Sequence, residues 1–249
     1  MRGLWALLAL AVLVGSARAD MPAECRVARH LVEDNLRLAG VASAIAAKHL
    51  NVLVLGAGSS VLPGPGGVNL AYPERLRLAL TEAFPDVAVT LATDIKPHRK
   101  AVDMVTFLAA DLAKAKPDLL VWQTGTVDAV DGADADQFNQ ALDKGIDSAK
   151  AAGADIVLVN AQYSPRTESM IALGNYNEIM RWVAAQHEIS LFDRFAVMRL
   201  WADLGTFDFF SPTKKLDTAG RVHDCIGRLL AALVVDAVKP DNPLIQGGK

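Results

Sequence analysis

Short unbroken apolar runs alternate along this chain with longer stretches in which apolar positions recur every three or four residues. Five runs have strand length: Asn51–Leu55, Val87–Leu91, Leu119–Trp122, Ile156–Val159 and Ile189–Phe192. An unbroken run, unlike an alternating one, suits a strand covered on both faces, as in a parallel sheet. Between the runs the helical period predicts helices over 72–84, 99–115, 136–152, 167–187 and 218–238. An earlier stripe of Val27, Leu31, Leu36, Leu38, Val41 and Ile45 predicts one more over 24–48. Pro73 sits where a first helical turn tolerates it, and Gly153 sits where a helix can stop. Helices alternating with buried strands predict an α/β fold, a three-layer α/β/α sandwich with a parallel sheet of about five strands. Such sheets meet ligands beyond the C-terminal ends of their strands. The residues after Leu55, Leu91, Trp122 and Val159 are therefore the ones to inspect.

The first stretch has a different character. Arg2 precedes an apolar run from Leu4 to Val14, and Ala17-Arg18-Ala19 ends it. A positive start, a short apolar core and an A-x-A site are the order of a secretory signal peptide, with Asp20 as the new N-terminus. The run is too short to read as a membrane span, and no later stretch has the length for one. The expectation is a leader over 1–19 and one domain over 20–249, with its core at about 22–240. The exported product would be periplasmic in a Gram-negative bacterium and secreted otherwise. Export changes the meaning of Cys25 and Cys225, the chain's two cysteines: in an oxidising compartment they are expected to pair.

Composition narrows the function classes. Of 249 residues 52% are hydrophobic and 21% charged, which excludes a disordered chain. A formal charge of -3, made more negative by loss of Arg2 and Arg18, excludes a strongly basic nucleic-acid binder. No His, Asp and Glu set has metal-ligand spacing, and no cofactor is expected.

The loop after the first strand, Gly56-Ala57-Gly58-Ser59-Ser60-Val61, begins like a dinucleotide loop but has Val61 in the third glycine place. Pro63 and the glycines after it also prevent an immediate helix, so no helix N-terminus would meet a pyrophosphate. Nor is it a G-x-S-x-G elbow, since Leu62 stands in the last glycine place. Instead, Gly58-Ser59-Ser60-Val61-Leu62-Pro63-Gly64 resembles the first block of the SGNH (GDSL-type) hydrolases. Ala71-Tyr72-Pro73-Glu74-Arg75-Leu76 resembles the start of that family's first helix, and Gly125-Thr126-Val127-Asp128-Ala129 resembles its third block. Asp217 through Leu229 resembles its terminal helix. The resemblance implies a flavodoxin-like SGNH fold and ester hydrolysis, with Ser60 in the nucleophile place and Ser59 where Asp is common.

The chemistry of that family needs an attacking Ser, a His to activate it, an Asp to orient the His, and Gly and Asn donors for the oxyanion. Here the Asn place holds Val127, and the second block, Thr93 to Lys100, has no glycine. Counting back from Gly220 puts the family His near Lys215 and its Asp near Pro212, and Ser211–Asp217 contains no D-x-x-H. His98, with Asp94 and Asp103 nearby in sequence, is the candidate replacement base. His223 falls past the family position and reads as packing, and Asp128 as a turn cap or a contact to a substrate hydroxyl. Phe207-Asp208-Phe209-Phe210 reads as ordinary aromatic packing or as a pocket wall. Two functions follow. One is a catalytically degenerate family member that keeps the cleft as a scaffold or uses Ser59, Gly125, Val127 and Asp128 there to bind a small molecule or an acylated glycan or lipid. The other is an active serine esterase with Ser60 as nucleophile and a rearranged base.

Overall fold

The computed structural model describes residues 21–32, 36–210 and 216–238. The proposed leader and the Ser211–Lys215 stretch lie outside these residues. Five strands, β1 (His49–Gly56), β2 (Ala88–Ile95), β3 (Leu119–Gln123), β4 (Asp155–Val159) and β5 (Ser190–Phe192), form one sheet in the order β2-β1-β3-β4-β5. All pairings are parallel. The strands sit where the apolar runs predicted them. β2 runs four residues past its apolar run because, as an edge strand paired to β1 through Gly56↔Ile95, it needs burial on fewer sides.

Side chains along each strand alternate between two cores. Leu50, Val52 and Val54 of β1, with Val121 and Val157, face one core. That core is closed by α1 (Ala39–Ala46), α3 (Tyr72–Ala83), α9 (Arg194–Asp203) and α10 (Asp217–Ala237). Leu53, Leu55, Leu120, Trp122 and Leu158 face the other, closed by α4 (Ala101–Ala115), α6 (Ala135–Ala151) and α8 (Leu173–His187). Shorter helices, α2 (Gly67–Leu70), α5 (Thr126–Val130) and α7 (Pro165–Met170), follow β1, β3 and β4.

Two helical expectations need correction, and one long helix was not expected. The stripe over 24–48 yields two 3-10 turns, Ala23–Cys25 and Arg29–Leu31, and then the short α1. A disulfide from Cys25 to Cys225 pins this segment across α10, and Val27, Leu31 and Val32 pack on the first core without a continuous helix. Tertiary packing here overrides the period. The stretch 167–187 is two helices: Ser164 caps α7, Pro165 opens it, and the chain turns at Ile171 so that Leu173 is buried. Finally α9 went unpredicted. Its signal is Asp193, whose carboxylate accepts from Ala196 N at 2.9 Å and caps the helix.

Among the described residues no helix is long and apolar enough to cross a membrane. A cavity of about 100 Å³ lies at the N-terminal end of the strands, beside Leu38, Lys150, Asp155 and Ser190, at the far end of the sheet from the loops considered next.

Candidate functional site

The order β2-β1-β3 places the switch in strand order between β1 and β3. The loops after these strands meet there, as in other open parallel sheets. After Gly56 the chain makes a 3-10 turn over Gly58–Ser60, closed by Ser60 N donating to Ala57 O at 2.9 Å. The turn separates two adjacent serines. Ser60 points into the sheet and is buried; Ser59 stays half-exposed at the rim. Gly56 makes room for this: a Cβ there would lie 2.4 Å from Ser60 Oγ. Gly56→Ala is therefore expected to cost about 2 kcal/mol by overpacking. Urea unfolding measures it, and pairing with Ser60→Gly, which removes the obstructing atoms, should recover part of the loss.

Gln123, the last residue of β3, organises the loop. Its Oε1 accepts from Ala57 N at 3.2 Å, from Ser59 Oγ at 3.2 Å and from Ser60 Oγ at 2.7 Å. The backbone N–H of Ala57 sets the amide orientation, because only the oxygen can face a donor. Ser60 has one proton and gives it to Gln123, so the 3.0 Å contact between Ser60 Oγ and Tyr72 OH must have Tyr72 as donor. The chain runs Tyr72 O–H to Ser60 O–H to the Gln123 carbonyl. Burial raises the Tyr72 phenol further above its usual range, against opposing effects from Arg194 and Ser60.

His223 lies behind Tyr72. Its Nδ1 accepts from Tyr72 N at 3.0 Å, and the two rings lie 5.9 Å apart. It packs as the sequence suggested, and burial, assisted by the positive Arg194, lowers it to about 4. It is neutral at ordinary pH and its accepting nitrogen is occupied. Arg194 at the start of α9 completes the cluster. Its Nη1 donates to Ser59 O and its Nη2 to Ser59 Oγ, each at 3.3 Å.

The remaining sequence candidates sit around this cluster in different ways. The β2–α4 loop does flank loop one: Lys96 N donates to Gly56 O at 3.2 Å, and Pro97 lies beside Gly58. His98 is exposed with φ 59°, and no hydrogen bond joins it to Ser60 or to Asp94 or Asp103. Asp94 pairs instead with the buried Arg99, and Asp103 accepts from Lys100 N at 3.1 Å. Gly125 has φ 91°, a left-handed conformation that favours glycine, and Val127 is half-buried. Asp128 is buried. It accepts from Ala101 N, Thr124 Oγ1 and Gly125 N, tying the turn after β3 to the start of α4. Burial raises its carboxyl above the usual range, with those hydrogen bonds opposing. Of the aromatic cluster, Phe207 is buried edge-on to Trp201 at 5.2 Å and Phe209 packs on Phe207, while Phe210 is exposed.

Sequence reasoning passed over Gln123, Tyr72 and Arg194 as site residues. Gln123 lies directly after Trp122, at a strand end already marked for inspection. Arg194 follows β5, the one strand whose end was not inspected. Among the described residues no three His, Cys, Asp or Glu side chains gather as a metal ion would require.

The profile of the Non-GDSL lipase-like family matches residues 24–240. No curated protein sequence matches the chain. Among solved structures, the lipase/acylhydrolase from Enterococcus faecalis is similar with a TM-score of 0.62 and 18% identity, over 77% of this chain and 99% of that one. TesA is similar with a TM-score of 0.55 and 21% identity, over 76% and 98%. A catalytic mutant of an acetylxylan esterase from Geobacillus stearothermophilus gives 0.58 and 14%, over 74% and 94%. These likenesses establish the flavodoxin-like SGNH fold, and with the family match they bear out the resemblance read from the sequence blocks.

Proposed function

From a chain that belongs to the Non-GDSL lipase-like family, we propose an exported protein that has lost family catalysis and uses the β1–β3 edge to bind a ligand. One observation carries this reading: the Ser60 hydroxyl is buried and its proton is committed to the Gln123 carbonyl. An amide oxygen is no general base, and a serine without one is a weak nucleophile. Tyr72 occupies the other side of Ser60 as a donor, and the neighbouring His223 is occupied by Tyr72 N. Val127 brings no side-chain donor to the place where the SGNH (GDSL-type) hydrolases have Asn, a loss that commonly costs about 10²–10³ in rate. Ser59, the more exposed hydroxyl, is bonded to an arginine, which cannot take its proton. Export is supported by the leader-like pattern of residues 1–19 and by the Cys25–Cys225 bridge, since such bridges persist in oxidising compartments.

Activity decides between the two functions. The purified protein is expected to hydrolyse p-nitrophenyl acetate no faster than buffer, to leave Ser60 unlabelled by a fluorophosphonate, and to behave the same as Ser60→Ala. Turnover abolished by Ser60→Ala would reject the proposal. If His98→Ala abolished it too, the esterase with a rearranged base would be established.

A further inference from the structure

We propose that the rim of the β1–β3 edge binds a small oxyanion, a carboxylate, phosphate or sulfate group, held by the Arg194 guanidinium and the Ser59 hydroxyl. This rests on the reading of that edge as a binding surface and names the chemistry of its ligand.

Among the described residues Arg194 carries a charge that has no counter-charge. Arg194 is 1% exposed, among the most deeply buried side chains described. Among the described residues its hydrogen bonds are the two to Ser59, both long, and its Nε has no partner. Among the described residues no carboxylate pairs with it. The adjacent acid, Asp193, is turned elsewhere: Oδ1 serves Ala196 N and Asn160, and Oδ2 pairs with Arg181 at 2.8 Å. Arg99, also buried, is by contrast paired with Asp94. Burial pushes Arg194 down to about 10, which still leaves it charged at neutral pH. A buried charge without a partner is strongly unfavourable, and arginine is suited to gripping planar or tetrahedral oxyanions.

A second orphan lies across the same loop. Gln123 Oε1 is shared by three donors, yet its Nε2 is buried without an acceptor. The cluster thus has two unmatched donors and a full positive charge. Its one accepting amide oxygen is already shared three ways. A neutral ester would leave the charge uncompensated, and a cation would worsen it; an oxyanion supplies both acceptors and charge. Access runs through Ser59, which is half-exposed beside the exposed Gly58. Its hydroxyl can turn from Gln123 to donate to a ligand while Arg194 stays in place.

The test uses the full disulfide-bonded protein. Thermal melts and calorimetric titrations are run with acetate, butyrate, phosphate and sulfate, each against chloride at matched ionic strength. The expected result is a saturable rise in Tm with at least one oxyanion and none with chloride. Acetate and butyrate acting alone would identify an organic acid as the ligand; phosphate or sulfate acting alone would identify an inorganic or ester-linked tetrahedral anion. Arg194→Met should abolish the rise, and Arg194→Lys should keep a weaker one. The Arg194 Nε–H resonance of the wild-type protein should shift as the active anion is added, a readout that does not depend on any variant folding. A wild-type protein that answers oxyanions no more than chloride overturns the inference and leaves the non-catalytic reading intact. An Arg194→Met protein with the full response overturns it as well. Ester turnover lost on Ser60→Ala rejects the reading on which it rests, whatever the anion titration gives.

Discussion

Cys25→Ser/Cys225→Ser is expected to lower folding stability by about 4–5 kcal/mol, an amount comparable with the whole stability of many domains. The bridge closes a loop of 200 residues, and a cross-link over so long a loop removes much of the freedom of the unfolded chain. On the native side it fastens the first 3-10 turn to α10, next to an ion pair between Glu24 and Arg221. Urea unfolding of the bridged and serine proteins measures the difference. The slope m should rise in the serine protein, because its denatured chain is more expanded. Both sulfurs belong to buried residues, Cys25 at 1% and Cys225 at 0% exposure. A reductant should therefore act slowly on the folded protein and quickly once urea opens it. A loss under about 1 kcal/mol would show that the N-terminal segment adds little to the fold.

Acid is expected to destabilise the protein early, between pH 6.5 and about 4, through His223. Burial and Arg194 hold its imidazole at about 4 in the fold, against an ordinary value of 6.5. A depressed value means that the unfolded chain takes up the proton first. The stabilising contribution is complete above pH 6.5, shrinks as pH falls below it, and is gone at about 4. At about 1.4 kcal/mol for each pH unit, the loss is about 3 kcal/mol. Asp128 and Asp155, both raised by burial, act with the opposite sign: their contribution is present at low pH and lost as pH rises through their folded values. The clean measurement is therefore the difference between wild type and His223→Gln, whose amide oxygen can still accept from Tyr72 N but does not titrate. Stability followed from pH 7.5 to 4 should fall less steeply in the variant. Parallel curves would show that His223 is not held neutral in the fold.

Much of the architecture was legible along the chain. The runs Asn51–Leu55 and Leu119–Trp122 have no polar alternation, so both faces need cover, and only a parallel sheet between helical layers supplies it. The disulfide was legible because two cysteines in a chain with a leader-like start have each other as natural partners. The first segment and α9 were less so. A helical stripe does not reveal that its residues are tethered across another helix, and Phe195, Val197, Met198 and Trp201 lie among too many other apolar residues for the period to stand out.

At the site, the sequence by itself determined that residues 56–60 would lie at the sheet edge and that the family's Asn place holds Val127. The resemblance put Ser60 in the nucleophile place and Ser59 where Asp is common, but it could not tell which hydroxyl would be buried. The two are identical in type and adjacent, and only the 3-10 turn buries one hydroxyl between Gln123 and Tyr72 and leaves the other at the rim between Gln123 and Arg194. Nor could it bring Arg194 to Ser59 across 135 residues, or show that no acid among the described residues came with it. Local spacing fixes which residues share a strand or a helix face. Burial, charge pairing and the ownership of a proton depend on contacts between distant segments, and those exist only once the chain has packed.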